Sequence, residues 1–187
     1  MQNFSEIQAL MKSDMEKTDD ILIDRLNSNV DLINQMSHYI IASGGKRLRP
    51  ILLHLSARAT NYTGTDHHAM AVVIELIHTA TLLHDDVVDE STTRRGQDSA
   101  NELWGNAPSV LVGDFLYSRA FEIMVEPNSM AIMRILSKAT NQIAEGEVLQ
   151  LLNIRNANVS QTEYFKVIEK KTACLFEAAC KIGALLS

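Results

Sequence analysis

Residues Met70–Glu90 read MAVVIELIHTATLLHDDVVDE, and the period of this run decides the fold. Its apolar residues Val72, Val73, Leu76, Ile77 and Ala80 recur at steps of three and four, the period of a helix. The same spacing runs through Ile21, Ile23, Leu26, Val30, Ile33, Met36 and Ile40. Nowhere does an alternation of period two persist, and no Asn-Gly or Asp-Gly hairpin signal occurs. An all-α fold is expected.

Outward from this run, helix-breaking residues fall at Gly44-Gly45, Asn61 to Gly64, Glu90 to Asp98, Gly105 to Pro108, Glu126 to Asn128 and Asn156 to Ser160. They divide the chain into about seven helices. Ser129, Ser160 and Thr65 or Asp66 are placed to cap N-termini, and Ser160-Gln161-Thr162-Glu163 has the S-x-x-E pattern of a capping box. The segments Ser109–Val125 and Met130–Leu152 are apolar on more than one face, which predicts central helices of a bundle.

The chain has 187 residues, enough for one domain with a sizeable core, and 46% are hydrophobic and 21% charged, as in ordinary globular proteins. The net charge of −6 argues against a general nucleic-acid surface, while a local basic cluster can still hold a small anion. No apolar run is long enough for a transmembrane segment and no signal peptide is evident. Cys174 and Cys180 lie six residues apart, about 240° round a helix from each other, so they are expected to stay unpaired thiols, which suits a reducing cytoplasm.

At the end of the opening run, Asp85 and Asp89 are four residues apart and share one helix face, with Asp86 about 100° to the side. Two carboxylates on one face can hold Mg²⁺ and leave most of its coordination shell for water and phosphate oxygens. A solvated helix end is the plainer reading of such acids. Against it stand Leu82 and Leu83 just before them, Val87 and Val88 between them, and the unfavourable placing of acids at a helix C-terminus. His78, seven residues before Asp85, falls near the same face, where it is either a core histidine or a donor to phosphate. Beyond the acids, Arg94-Arg95-Gly96 offers two forked cations suited to an anion.

A second basic motif, GGKRLRP at Gly44–Pro50, sets Lys46, Arg47 and Arg49 between two glycines and a proline-bounded helix start. The glycines permit close approach of a ligand, and Pro50 sits near a helix N-terminus, where anions are favoured. A basic turn between helices is the alternative reading of this motif alone. The phosphate-loop pattern G-x-x-x-x-G-K-[ST] is absent.

Taken in order, GGKRLRP, HDDVVDESTTRRG, GDFL, AEGEVLQL and KTACLFEAA resemble the motifs of the trans-isoprenyl diphosphate synthases, over essentially the whole chain and most like the long-chain members. The resemblance implies an antiparallel helix bundle around a deep central cavity, usually in a homodimer, and a prenyltransferase that adds isopentenyl diphosphate units to an allylic diphosphate such as farnesyl diphosphate, with Mg²⁺. The implied product is a long all-trans polyprenyl diphosphate for quinone side chains, released with a loose membrane association. By matching motif positions, Lys46, Arg49, His78 and Arg95 are implied to bind the diphosphate of isopentenyl diphosphate. Asp85 and Asp89 are implied to ligate Mg²⁺ with Asp86 in support, and Arg94, Lys171 and Thr172 to contact the allylic substrate; Asp85, Asp86, Asp89, Arg94 and Lys171 form the implied catalytic set.

Product length is a question of depth. Ala80 and Thr81, five and four residues before Asp85, are small and one turn deeper, which predicts passage for a long tail; Met124 and Leu136 are candidates for lining or ending the tunnel. The family carries a second aspartate-rich motif farther along, and none occurs before Ser187. Glu145 and Glu147, about 200° apart on a helix, are not expected to replace it. The chain thus reads as the N-terminal part of a longer single-domain enzyme, residues 1–187 being incomplete at the C-terminus. The alternatives are a short-chain farnesyl or geranylgeranyl diphosphate synthase and a non-catalytic, diphosphate-binding subunit of a heteromeric synthase.

Overall fold

A computed structural model describes residues 3–187. The order is α1 (Phe4–Arg25), α2 (Asp31–Ala42), α3 (Leu48–Ala59), α4 (Asp66–Val88), a hairpin of β1 (Thr93–Arg94) and β2 (Gln97–Asp98), α5 (Ala100–Trp104), α6 (Asn106–Met124), α7 (Met130–Asn153), α8 (Gln161–Ile168), a π-helical turn (Glu169–Ala173) and α9 (Cys174–Leu185). The protein is all-α apart from that hairpin of two residues per strand. No helix among the described residues is long and apolar enough to cross a membrane.

The central element is α4. Every residue from Met70 to Ile77 is buried, so the helix is surrounded on all sides, with α6 as its most extensive neighbour and α1, α3 and α9 also against it. Burying each large aliphatic side chain here stabilises by roughly 1.5–3 kcal/mol, enough in sum to fix α4 as a rigid rod on which other groups are placed. Helices α6 and α7 pack against the rest of this chain along one face. Each buries one stripe, through Val112, Leu116, Ala120 and Ile123 or Ile132, Leu136, Ala139 and Ile143, while Leu111, Phe121, Leu151 and Leu152 remain exposed at the surface of this chain.

Two further differences have local causes. The apolar period crosses residues 26–30 without a break, yet the helix ends there, because Ser28 N–H donates to Asn34 Oδ1 at 3.0 Å and Asn34 Nδ2 donates to the Ser28 carbonyl at 2.8 Å. These side-chain bonds offer the backbone an alternative to the helix. The hairpin after α4 turns on Arg95 and Gly96, with φ of 54° and 81°, the paired positive angles of a tight two-residue connection.

The caps follow the sequence more closely. Ser129 accepts from Ile132 N–H at 3.4 Å, and Ser160 with Glu163 closes a full capping box. Thr65 occupies the cap position of α4 without a side-chain bond. Both cysteines are free.

Candidate active site

The C-terminal end of α4 presents polar groups in two directions, because consecutive helical residues point about 100° apart. Asp85 faces a cleft of about 690 Å³ between α4, α6 and α7, which Thr81, Asp114, Tyr117, Phe121, Thr140 and Glu147 also line. Asp86 turns the other way and is buried against Arg94 of the hairpin, whose Nε lies 3.0 and 3.1 Å from its two carboxylate oxygens. Asp89 caps the helix and is exposed.

On the cleft side, Lys171 Nζ lies 3.2 Å from Asp85 Oδ2 and 2.6 Å from Glu147 Oε2, while Lys170 pairs with Glu145. The π-helical turn makes this arrangement, since one widened turn re-aims Lys170 and Lys171 within an otherwise continuous α8–α9 rod. Gly146 lets it approach, because a Cβ there would stand 2.7 Å from the Lys171 backbone nitrogen. Burial and the neighbouring Asp85 carboxylate hold the Glu147 carboxyl above its ordinary range despite Lys171. Burial works against the Lys171 ammonium, but the two carboxylates outweigh it and raise its pKa.

The donors on this side suit a hard divalent cation. Asp85 offers carboxylate oxygens to the cleft, the exposed Asp89 follows one turn on at the helix end, and Glu147 Oε1 is buried without a partner, a lone pair that the protein leaves unsatisfied. Glu147 was missed in the sequence because its meeting with Asp85 spans 62 positions; its opposition to Glu145 on α7 was legible, and each acid does take a different lysine.

On the other side, the α2–α3 loop and the hairpin gather arginines around His78. Arg47 pairs with the buried Glu75 at 3.0 Å and lies 3.8 Å from Asp19. Arg49 stacks over the Phe176 ring at 4.3 Å and leaves its Nε buried without an acceptor. Gly45 has a φ of 155°, a backbone conformation that side-chain-bearing residues rarely adopt, and the Arg95 guanidinium crosses the loop there. Burial first, then the charges of Arg49, Arg95, Arg94 and Arg47, push the His78 pKa down to about 3, leaving a neutral imidazole among cations. Such a set has fewer acceptors than donors and fits an anion.

The placement of the other expected residues is mixed. Lys46 is exposed in the loop before α3. Thr172 is exposed and lines a separate groove of about 550 Å³ with Tyr164, Ile168 and Lys171, rather than the cleft of Asp85. Thr81 lines the cleft, but Ala80 is closed in the core with no exposure, and so is Leu136; Met124 is 2% exposed. Of the four residues expected at the tunnel, Thr81 is the one that lines this cleft, alongside Tyr117 and Phe121 from α6, whose apolar spacing does not distinguish them from core.

A helix bundle with carboxylates facing a cleft on one side of α4 and arginines gathered on the other defines a class of protein shaped for polyanions and the cations that accompany them. The polyprenyl synthetase family model matches residues 30–187, and the chain belongs to that family. It is 50% identical over 185 residues to octaprenyl diphosphate synthase of Escherichia coli, covering 99% of this chain and 57% of the relative, and 46% identical over 187 residues to that of Haemophilus influenzae, covering 100% and 57%. Among solved structures, the polyprenyl synthase of Caulobacter crescentus complexed with calcium and isoprenyl diphosphate superposes with a TM-score of 0.96 at 47% identity, covering 98% of this chain and 56% of that one. The chain spans little more than half the length of the relatives it matches.

Proposed function

We propose that this chain carries the two diphosphate sites of a long-chain trans-prenyltransferase that extends an allylic diphosphate, farnesyl diphosphate being the expected starter, with isopentenyl diphosphate to an all-trans polyprenyl product of octaprenyl length. The observation that carries the reading is the division at Asp85-Asp86: carboxylates face the cleft, and arginines with a neutral His78 lie behind it. The octaprenyl names of the two bacterial relatives support the product class.

In this reading Asp85 and Asp89 would hold Mg²⁺, which supplies neutralisation of the charge that builds on the departing diphosphate. Lys171, now held by Asp85 and Glu147, swings its ammonium toward the allylic diphosphate, with Thr172 beside it in the adjoining groove. Arg94, its carboxylate partner Asp86 fixed in the core, adds a permanent cation at the same end. Behind α4, Lys46, Arg49, Arg95 and the neutral His78 position isopentenyl diphosphate, His78 offering an N–H to a phosphate oxygen. The allylic carbon–oxygen bond breaks, the double bond of isopentenyl diphosphate attacks the resulting cation, and loss of a proton restores an allylic diphosphate one unit longer. The rings of Tyr117 and Phe121, with Ala144, are the apolar part of the cleft wall that would shield that cation from water.

The tail enters the cleft past Thr81, whose small side chain leaves room between α4 and Phe121 of α6. The relatives' additional length is where this reading puts the second acidic wall. A homodimer, a cytoplasmic setting consistent with the free thiols, supply of quinone side chains and loose membrane contact on product release belong to the same proposal.

Labelled isopentenyl diphosphate with farnesyl diphosphate and Mg²⁺ tests it in the protein of the relatives' full length. Long prenyl products are expected, and Thr81→Phe shortens them. Absence of any product would overturn the enzyme reading and favour a diphosphate-binding subunit; farnesyl or geranylgeranyl products from the unsubstituted protein would overturn the chain length alone.

A further inference from the structure

A second polar cluster lies at the opposite end of α4. Asp14 of α1, His54 and Arg58 of α3, and His67 and His68 in the first turn of α4 meet there, with Asp14, His54, His67 and His68 all buried. Along α4, His68 and Asp85 are separated by about 25 Å, so this cluster is independent of the cleft.

Hydrogen-bond bookkeeping leaves a cation missing. His68 Nδ1 lies 3.1 Å from the Thr65 carbonyl, an acceptor only, so Nδ1 carries the hydrogen. With Nδ1 holding the ring's one hydrogen, Nε2 turns a lone pair toward Asp14 Oδ1 at 3.4 Å, and the contact needs a proton or another cation between the two acceptors. His67 Nε2 lies 3.7 Å from the same oxygen, too long for a hydrogen bond, and its Nδ1 has no partner, so what Nε2 meets decides its tautomer. Asp14 Oδ2 is already committed to Arg58, at 2.7 Å from Nε and 2.6 Å from Nη2.

A proton on His68 satisfies one of these contacts and leaves His67 without a partner. Protonating both rings would set two cations at a ring separation of 3.8 Å beside Arg58. One metal ion satisfies all three atoms. Bonds of about 2.05 Å in a tetrahedral zinc site put ligand atoms about 3.4 Å apart, close to the 3.4 and 3.7 Å found from Asp14 Oδ1 to the two imidazoles. The three ligand atoms all lie within 4.8 Å of one another. The hydrogen bond from His68 Nδ1 to a carbonyl is the usual outer support of a metal-bound imidazole.

We propose that Asp14, His67 and His68 form a structural site for a zinc-class divalent ion, tying α1 to the start of α4, with water as the fourth ligand. Thr18 Oγ1 donates to the Asp14 carbonyl at 2.8 Å and so accepts from His54 Nε2–H at 2.9 Å. That leaves His54 Nδ1 as a bare lone pair in a side chain with no exposure, 5.2 and 5.6 Å ring to ring from His67 and His68. The metal-bound water supplies the donor it lacks.

Co²⁺ is the probe, added to the 187-residue chain. One equivalent is expected to give the intense visible absorption of a tetrahedral site, displaced by Zn²⁺, lost in the double variant His67→Gln, His68→Gln, and retained in Asp85→Ala. Zinc K-edge absorption of the unsubstituted protein is expected to show two imidazole ligands, a readout that does not depend on the variants folding. A chain without the visible band, a band lost in Asp85→Ala instead, or a zinc shell of oxygen alone would overturn the proposal and leave an imidazolium–carboxylate pair.

Discussion

On the cleft side of α4, Asp85 and Glu147 share one ammonium, that of Lys171, and Glu147 keeps an oxygen without a partner. On the hairpin side the balance is reversed. Arg47, Arg49, Arg94 and Arg95 meet two buried carboxylates, Glu75 and Asp86, and Arg49 keeps a donor without a partner. The cleft side therefore lacks positive charge and the hairpin side lacks negative charge. One residue step along a helix, from Asp85 to Asp86, separates the two. The difference teaches that a run of like charges in sequence need not be one site: consecutive helical positions, about 100° apart, send it to different sides.

Breaking the cleft side is expected to have the largest effect. In a protein of the relatives' full length, the proposed role of Asp85 predicts that Asp85→Ala lowers turnover by roughly 100-fold or more while leaving the fold intact, measured as steady-state rate alongside thermal unfolding. A variant with unchanged kinetics would return Asp85 to a solvated helix end.

Breaking the hairpin side acts on stability first. Arg94→Ala leaves Asp86 buried without its partner, and a loss of about 3 kcal/mol is expected, the lower edge for buried pairs because the Arg94 side chain is 35% exposed. For a chain of this size the unfolding midpoint falls by roughly 6–12 °C. A smaller change is expected from Gly146→Ala, which forces the π-helical turn away from α7 at a cost of about 1–3 kcal/mol and separates Lys171 from Glu147. Calorimetric unfolding of the two variants side by side ranks them.

At neutral pH the smallest effect is expected from His78, whose part in the contrast emerges as pH falls. His78 is neutral in the fold with a pKa of about 3, against about 6.5 unfolded, so the unfolded chain binds the extra proton first. Its contribution to stability is present above about pH 6.5 and is lost as pH falls toward 3. His78→Gln is expected to flatten that part of the stability profile, which denaturant melts at several pH values measure.

Much of this was legible in the sequence because it is local. The period of Met70–Ile77, the turning of Asp86 away from Asp85, and the capping box at Ser160 depend on residues within one or two turns. What escaped depends on distance. Lys171 meets Asp85 across 86 positions, and Asp14 meets His67 across 53, with no local pattern to announce either. Ala80 and Thr81 are equally small, so composition could not tell that one faces core and the other the cleft. The turn at 26–30 was masked because Leu26 and Val30 keep the helical period while Ser28 and Asn34 break it.

The division into a cation-seeking and an anion-seeking side is tested most directly by calorimetric titration of inorganic pyrophosphate into the 187-residue chain, with and without Mg²⁺. Two binding events are predicted: one that requires Mg²⁺ and is lost in Asp85→Ala, and one that does not and is lost in Arg49→Ala. A single event, or one that either substitution abolishes alone, would contradict the account.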